Sequence, residues 1–259
     1  MSYSLAELII VACAQTWRDV GEVAAFGAGP LPRLGASLAK ATFAPQLMLT
    51  DGECLYATEP VAPGTRVEAG NVEGWSPYDR TFLTVWGGKR VAMVGPTQLD
   101  RFGQTNISAI GDHERPKTAL VGARGFPGNS IHHPNSFFIP THNTRAFVAG
   151  EVDYVCMAGY NPARWLGGKT PIGLDLGLIV TNLAVMDFGG PDHAIRVVSL
   201  HPGVTFEEVQ ANTGFELHRE GEIPTTPAPT AEQLAVIDRL DAKGARRKAL
   251  KDDPPGDRR

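Results

Sequence analysis

Apolar residues near the start of the chain recur at helical spacing. Leu5, Leu8, Ile9 and Ala12 share one side of SLAELIIVACAQTWRD, which predicts an amphipathic helix over residues 4–19. A short apolar run at 22–26 reads as a strand that enters the turn GAGPLP. Leu34, Leu38 and Ala41 then fall on one face and predict a helix over about 33–42, followed by a strand at 47–50. Strand, glycine turn, helix and strand in that order make a βαβ unit, whose default is a parallel sheet.

Further apolar runs predict strands at 90–94, 119–122, 136–139, 146–148, 153–157, 178–186 and 195–199. Few helical stretches separate them, so the second half reads as a mixed sheet rather than a doubly wound one. Thr205 with Glu208 and Thr230 with Gln233 have capping-box spacing and mark two helix starts. The stretch 220–230, EGEIPTTPAPT, reads as a linker before the last helix, and no internal repeat is visible.

Composition refines this picture without changing it. The chain has 259 residues, 42% hydrophobic and 20% charged, which suits a globular enzyme. The 29 glycines and 20 prolines predict a loop-rich one. The formal charge of -4 conceals an asymmetry: seven Lys or Arg and three Asp after residue 242 give that tail +4, which leaves -8 on the body. A body of that sign argues against nucleic acid as a partner. The expected organisation is one domain over 1–242 and a charged, disordered tail over 243–259.

Cys13, Cys54 and Cys156 have no CxxC spacing, so neither a disulfide framework nor a zinc site is expected, and they fit a reducing cytoplasm. No signal-peptide pattern and no apolar run near the ~20 residues of a membrane span is present, so no membrane association is expected.

Three segments are candidates for chemistry. Gly27-Ala28-Gly29-Pro30 joins a strand to a helix and reads either as an oxyanion-binding turn or as a tight turn; Arg33 prevents it from completing GxGxxG. Asp51-Gly52-Glu53 closes the second strand, where ligands bind in open α/β sheets, and reads either as a carboxylate site or as a solvated turn. The run 95–129 carries Gln98, Asn106, Arg124, Gly125, Gly128 and Asn129, and reads either as backbone passing beneath a ligand or as a structural crossover. His132, His133, His142 and His201 lack metal-ligand spacing and read as structural, so no metal is expected. Neither GxSxG nor a P-loop occurs.

Four segments in order then carry a resemblance: GAGPLPRLGASLAKATFAP, GPTQLDRFGQTNISAIGDHERPKTALVGARG, RAFVAGEVDYV and HPGVTFEEVQANTGFEL. Together they resemble β subunits of the glutaconate-type class I CoA-transferases over residues up to about 240. FAPQLMLTDGE, NVEGWSPY and MDFGGPDHAIRVVSLHPGVT look like the branch of steroid ring-cleaving CoA hydrolases. The resemblance implies an α/β, class I CoA-transferase-like fold with an open mixed or parallel sheet flanked by helices. It also implies an α-type partner subunit in an α2β2 assembly, and no cofactor beyond coenzyme A carried in the substrate.

In the transferase pattern a nucleophilic glutamate lies seven residues after the proline of a YAP-like motif. Here that position, counted from Pro45, is Gly52, and Glu53 is one residue late. On a strand, a one-residue offset moves a side chain to the opposite face. The Gly27–Gly29 turn departs too, with one residue more than the transferase pattern before Gly35. The resemblance therefore implies hydrolysis of a cyclic β-keto acyl-CoA with the base on the α-type partner. Gly27, Gly29, Arg124 and Asn129 would stabilise an enolate, and Asp51 and Glu53 would orient water. Gln98, Asn106, Gly125 and Gly128 are the remaining expected substrate contacts. The alternatives are a transferase using Glu53 through a glutamyl-CoA thioester, and a non-catalytic protein that only stabilises its partner.

Overall fold

A computed structural model describes residues 2–50 and 54–250. The chain clusters into two compact units, Met1–Val94 with Pro227–Arg259, and Gly95–Thr226. Sequence pattern alone predicts one domain over 1–242.

In the first unit, α1 (Leu5–Ala14) starts at a reciprocal capping box between Ser4 and Glu7. The expected helix stops short of residue 19, because a 3-10 turn, Gln15–Trp17, takes over after Ala14. The helix is also buried on nearly every side, Glu7 being its one residue outside the core. Beside it, the Trp17 indole donates to the Val91 carbonyl at 3.1 Å.

β1 (Ala24–Gly27) leads through Gly29 into α2 (Pro30–Thr42). That helix starts three residues before the expected position 33, since Pro30 at the first position has its φ preset and no N–H to satisfy. Short strands β2 (Leu49–Thr50), β3 (Leu55–Ala57) and β4 (Val72–Trp75) form an antiparallel sheet. α3 (Tyr78–Trp86) and β5 (Arg90–Val94) follow. The parallel βαβ expectation holds through β1, which pairs in parallel with β5 and makes a parallel bridge from Ala24 to Met48.

The unit closes with the helix Ala231–Leu240, whose capping box at Thr230 and Gln233 forms as expected. The disorder expected from residue 243 is not what 243–250 show. Ala245–Lys248 is a 3-10 turn, and Arg246 is buried against Glu7, Asp238 and Asp241. A guanidinium with three carboxylates around it is held in place, whereas the sequence pattern registers only a basic run.

The second unit contains β6 (Gln98–Leu99), β7 (Thr105–Asn106), β8 (Ala109–Ile110) and β9 (Thr118–Ala119), paired as two antiparallel ladders. α4 (Phe126–His132) precedes β10 (Asn135–Ile139). Then come β11 (Leu176–Thr181), β12 (Ala184–Asp187), β13 (Arg196–Leu200) and α5 (Phe206–Ala211). β10 and β11 are parallel, while β11–β12 and β12–β13 are antiparallel, so this sheet is mixed as expected. The run at 178–186 is two strands, because Asn182 and Leu183 turn the chain.

The expected strands at 146–148 and 153–157 are single bridges only, Leu99 with Phe147 and Thr105 with Met157. Thr205 accepts from the Glu208 amide at 3.1 Å and caps α5. The linker at 220–230 is tied down in part: Leu200 N–H donates to Pro224, and Thr226 N–H donates to Leu200.

Candidate active site

A cavity of about 550 Å³ opens in the first unit, walled by β1, the first turns of α2, β2, β3, α3 and Arg90. Ala24, Phe26, Leu49, Tyr56, Val61 and Tyr78 make most of its surface apolar. Two guanidiniums enter it, those of Arg33 and Arg90. Among the described residues, no Asp or Glu lines it.

Local chain geometry places both cations. Arg33 sits one turn into α2, and its Nη2 donates to the Thr50 carbonyl oxygen at 3.0 Å. Arg90 opens β5, and its guanidinium lies over the Phe26 ring at 4.3 Å from the centroid. Burial pulls the Arg90 pKa down to about 10, against an opposing effect of Tyr56, so it stays charged at neutral pH. Two cations in a largely apolar cavity stabilise negative charge far better than they would in water.

Gly27 lines this cavity, and its lack of a side chain has a packing reason. A Cβ there would stand 2.5 Å from the backbone carbon and oxygen of Pro32, so β1 and the first turn of α2 touch directly. Gly29 is the N-cap of α2 at φ 92, a conformation open to glycine and strained for other residues. Pro30 and Pro32 have no N–H and the Arg33 amide donates to Gly29, so the donors left at this helix start are the Gly29 and Leu31 amides. Asp51 and Glu53, with Gly52, lie outside the described residues; their neighbours Thr50 and Cys54 both line the cavity.

The other expected residues belong to the second unit and divide into two groups. Gln98 and Asn106 are a buried polar pair. Asn106 Nδ2 donates to Gln98 Oε1 and to the Ala109 carbonyl, both at 2.7 Å, and Asn106 Oδ1 accepts from the Ser108 amide at 2.8 Å. Gln98 Nε2 donates to Asp153 Oδ2 at 3.0 Å, and Gln98 Oε1 also accepts from the Asp153 amide. With their hydrogen bonds made inside the protein, these amides brace the β6–β7 ladder.

Arg124 and Gly125 are outside the core, Arg124 at φ 47, a left-handed conformation uncommon outside glycine. Gly125 is the N-cap of α4, Gly128 lies in its first turns, and Asn129 is buried. None of these four lines the first-unit cavity.

Two of the histidines, His142 and His201, are buried in the second unit. His142 is buried between the hydroxyls of Thr181 and Thr213, at 3.1 and 2.9 Å, and stacks on Phe147. Burial lowers its pKa to about 4. His201 contacts Thr226 and the Thr181 carbonyl, each at 2.9 Å. Sequence reasoning misses Arg33 and Arg90 as site residues. Arg33 enters it only as the residue that spoils a glycine motif, although a cation one turn past a strand–glycine–helix junction is itself a signal for an anion site.

No family model matches the chain. It is 41% identical, over 90% of its own length and 92% of the relative's, to the cholesterol ring-cleaving hydrolase IpdB subunit of Mycobacterium tuberculosis H37Rv. It is 31% identical to a 3-oxoadipate CoA-transferase subunit of Pseudomonas knackmussii, over 94% of this chain and 95% of that one. The crystal structure of IpdAB from Rhodococcus jostii RHA1 superposes with a TM-score of 0.89 at 37% identity, covering 97% of this chain and all 100% of the matched chain. With its mixed α/β architecture and this extent of identity, the chain belongs to the CoA-transferase family as a β-type subunit close to IpdB.

Proposed function

We propose that this chain is the β-type half of a two-subunit hydrolase that opens a steroid-derived ring in a cyclic β-keto acyl-CoA. An α-type CoA-transferase-like partner completes it and supplies a glutamate as general base, and the enzyme works in the cytoplasm, which suits the three free cysteines. The observation that carries this reading is the largely apolar cavity with Arg33 and Arg90 set into it.

The chemistry follows from that wall. Water adds to the ring ketone as the base takes one of its protons. The tetrahedral adduct then breaks the bond between the former ketone carbon and the carbon next to the thioester. One fragment end becomes a carboxylate, and the other is a thioester enolate that takes up a proton. Arg33 and Arg90 oppose the charge that develops on the oxygens. Phe26, Leu49, Tyr56 and Val61 pack the ring hydrocarbon and keep out water that would screen that charge.

The test uses the chain co-expressed with its α-type partner and a cyclic β-keto acyl-CoA in 18O-labelled water. The expected product carries one labelled oxygen in its new carboxylate, and turnover needs no carboxylate acceptor. A second reading, a true transferase acting through Glu53, draws on the 31% identity to a transferase chain. That reading requires acceptor-dependent turnover and a thioester trapped on Glu53. Finding both would overturn the hydrolase.

A further inference from the structure

The ring-opening chemistry above leaves one proton without a donor. The thioester enolate has to gain a hydrogen on carbon, and a positioned side-chain acid speeds such a step. Among the described residues lining the first-unit cavity, those with a titratable O–H or S–H are Cys54, Tyr56 and Tyr78. The serines and threonines of the same wall are aliphatic alcohols, which are much weaker acids.

Placement separates the three. Tyr78 opens α3, is 74% exposed and rests edge-on against Phe82. Cys54 lies in a bend just before β3, outside the ladder. Tyr56 is the central residue of β3, and β3 is the middle strand of its sheet. It stands opposite Thr50 on one side and Gly74 on the other. Residues directly opposite in an antiparallel ladder share a face, and Thr50 and Tyr56 both line the cavity. A Cβ on Gly74 would meet nothing within 4 Å, so there is open space beside the phenol ring. Among the described residues the Tyr56 hydroxyl has no hydrogen-bond partner, whereas that of Tyr160 accepts from the Leu176 amide.

The same strand ties the phenol to both cations. Thr50, its neighbour across the ladder, accepts from Arg33 through its carbonyl oxygen. Arg90 responds to the Tyr56 oxygen: negative charge there favours the charged guanidinium, against the burial that disfavours it. By the same attraction Arg90 opposes the charge left on that oxygen once its proton has gone. The combination is particular to this cavity. A cleft of about 590 Å³ in the second unit, lined by Lys117 and Arg145, has no phenol, thiol, imidazole or carboxyl in its wall.

We propose that the Tyr56 hydroxyl is the acid that protonates the thioester enolate on carbon, with Arg90 holding the phenolate that results. The proposal rests on the hydrolase reading above. The phenolic O–H bond breaks as the new C–H bond forms, and water then returns a proton to the phenolate. A thioester enolate is a far stronger base than a phenolate, so the transfer runs downhill. The ring of Tyr56 packs hydrocarbon while its hydroxyl does this chemistry.

The test uses the complex with its α-type partner and exploits the reverse of the same step. In deuterium oxide the wild-type complex exchanges hydrogen on the carbon next to the thioester of the ring-opened product, read by NMR. Tyr56→Phe slows that exchange about 10²-fold and lowers kcat for ring opening by a similar factor, while KM stays within about twofold. An unchanged melting temperature shows that the variant folds. Exchange at the wild-type rate in Tyr56→Phe overturns the proposal and moves the donor to Cys54 or to the partner's base. A defect confined to KM also overturns it and leaves Tyr56 a packing residue.

The two readings fail separately. Hydrolysis in 18O-labelled water together with wild-type exchange in Tyr56→Phe removes only the Tyr56 role. Acceptor-dependent turnover with a thioester on Glu53 removes the hydrolase, and with it the enolate that needs this proton.

Discussion

The cavity at Arg33 and Arg90 and the cleft at Lys117 and Arg145 are close in size, about 550 and 590 Å³, and each has two cations and no described carboxylate in its wall. They differ in what surrounds the charge. Arg90 is half-buried over an aromatic ring with its pKa lowered by desolvation, whereas Lys117 and Arg145 stand in solvent. Charge in a low-dielectric wall acts strongly on a charge that forms beside it during reaction; charge in water mainly recruits an anion that is already there. The same residue types therefore sit in a partly desolvated wall in one unit and in solvent in the other.

The most severe challenge to this contrast is to neutralise the buried pair. Arg33→Met and Arg90→Met each lower kcat/KM by about 10²–10³, mostly in kcat, as measured by steady-state kinetics on the cyclic β-keto acyl-CoA. A change confined to KM would mean that these arginines only bind.

Next in size is the packing that frames the first cavity. Gly27→Ala places a Cβ 2.5 Å from the Pro32 backbone. It lowers stability by about 1–3 kcal/mol and the melting temperature by about 5 °C, read by calorimetry. The scaffold of the second unit gives a similar or smaller loss. Asn106→Ala leaves Gln98 Oε1 and the Ala109 carbonyl short of a donor and costs about 1–3 kcal/mol in denaturant unfolding.

His142 supplies a pH-dependent term. The unfolded chain binds its proton below about pH 6.5, whereas burial keeps it neutral in the folded protein down to about pH 4. The unfolded state thus holds more protons in that window, and stability falls as the pH drops through it. The unfolding free energy from denaturant titrations falls more between pH 7 and 4.5 in the wild type than in His142→Gln, by about 1–3 kcal/mol. The smallest effect is salt: raising ionic strength from about 0.05 to about 0.5 M leaves the Arg90→Met defect in kcat nearly unchanged.

The elements with local signatures were legible in the chain. The capping box at Thr230 and Gln233, the apolar stripe of α2 and the run 90–94 all appear where short-range pattern places them. What pattern misses has nonlocal partners. β3 and β4 lie in a stretch broken by Gly and Pro and pair with each other across 15 to 20 positions, as Leu55 does opposite Trp75. The 146–148 and 153–157 runs have strand-like composition but only one bridge each. Gln98 and Asn106 make their hydrogen bonds within the protein, and Gln98 also lines the second-unit cleft, neither of which residue type reveals.

The Gly27–Gly29 turn, the family and the strand–helix–strand core follow from the order of residues alone, since each rests on contacts within a few positions or on four segments in succession. The cation sites do not. Arg33 and Arg90 line one cavity from 57 positions apart and Lys117 and Arg145 one cleft from 28 apart, and whether a guanidinium lies in a desolvated wall or in water is decided by the chain packed around it. Burial is a property of the folded surface, so the division between desolvated and solvated charge belongs to the tertiary structure.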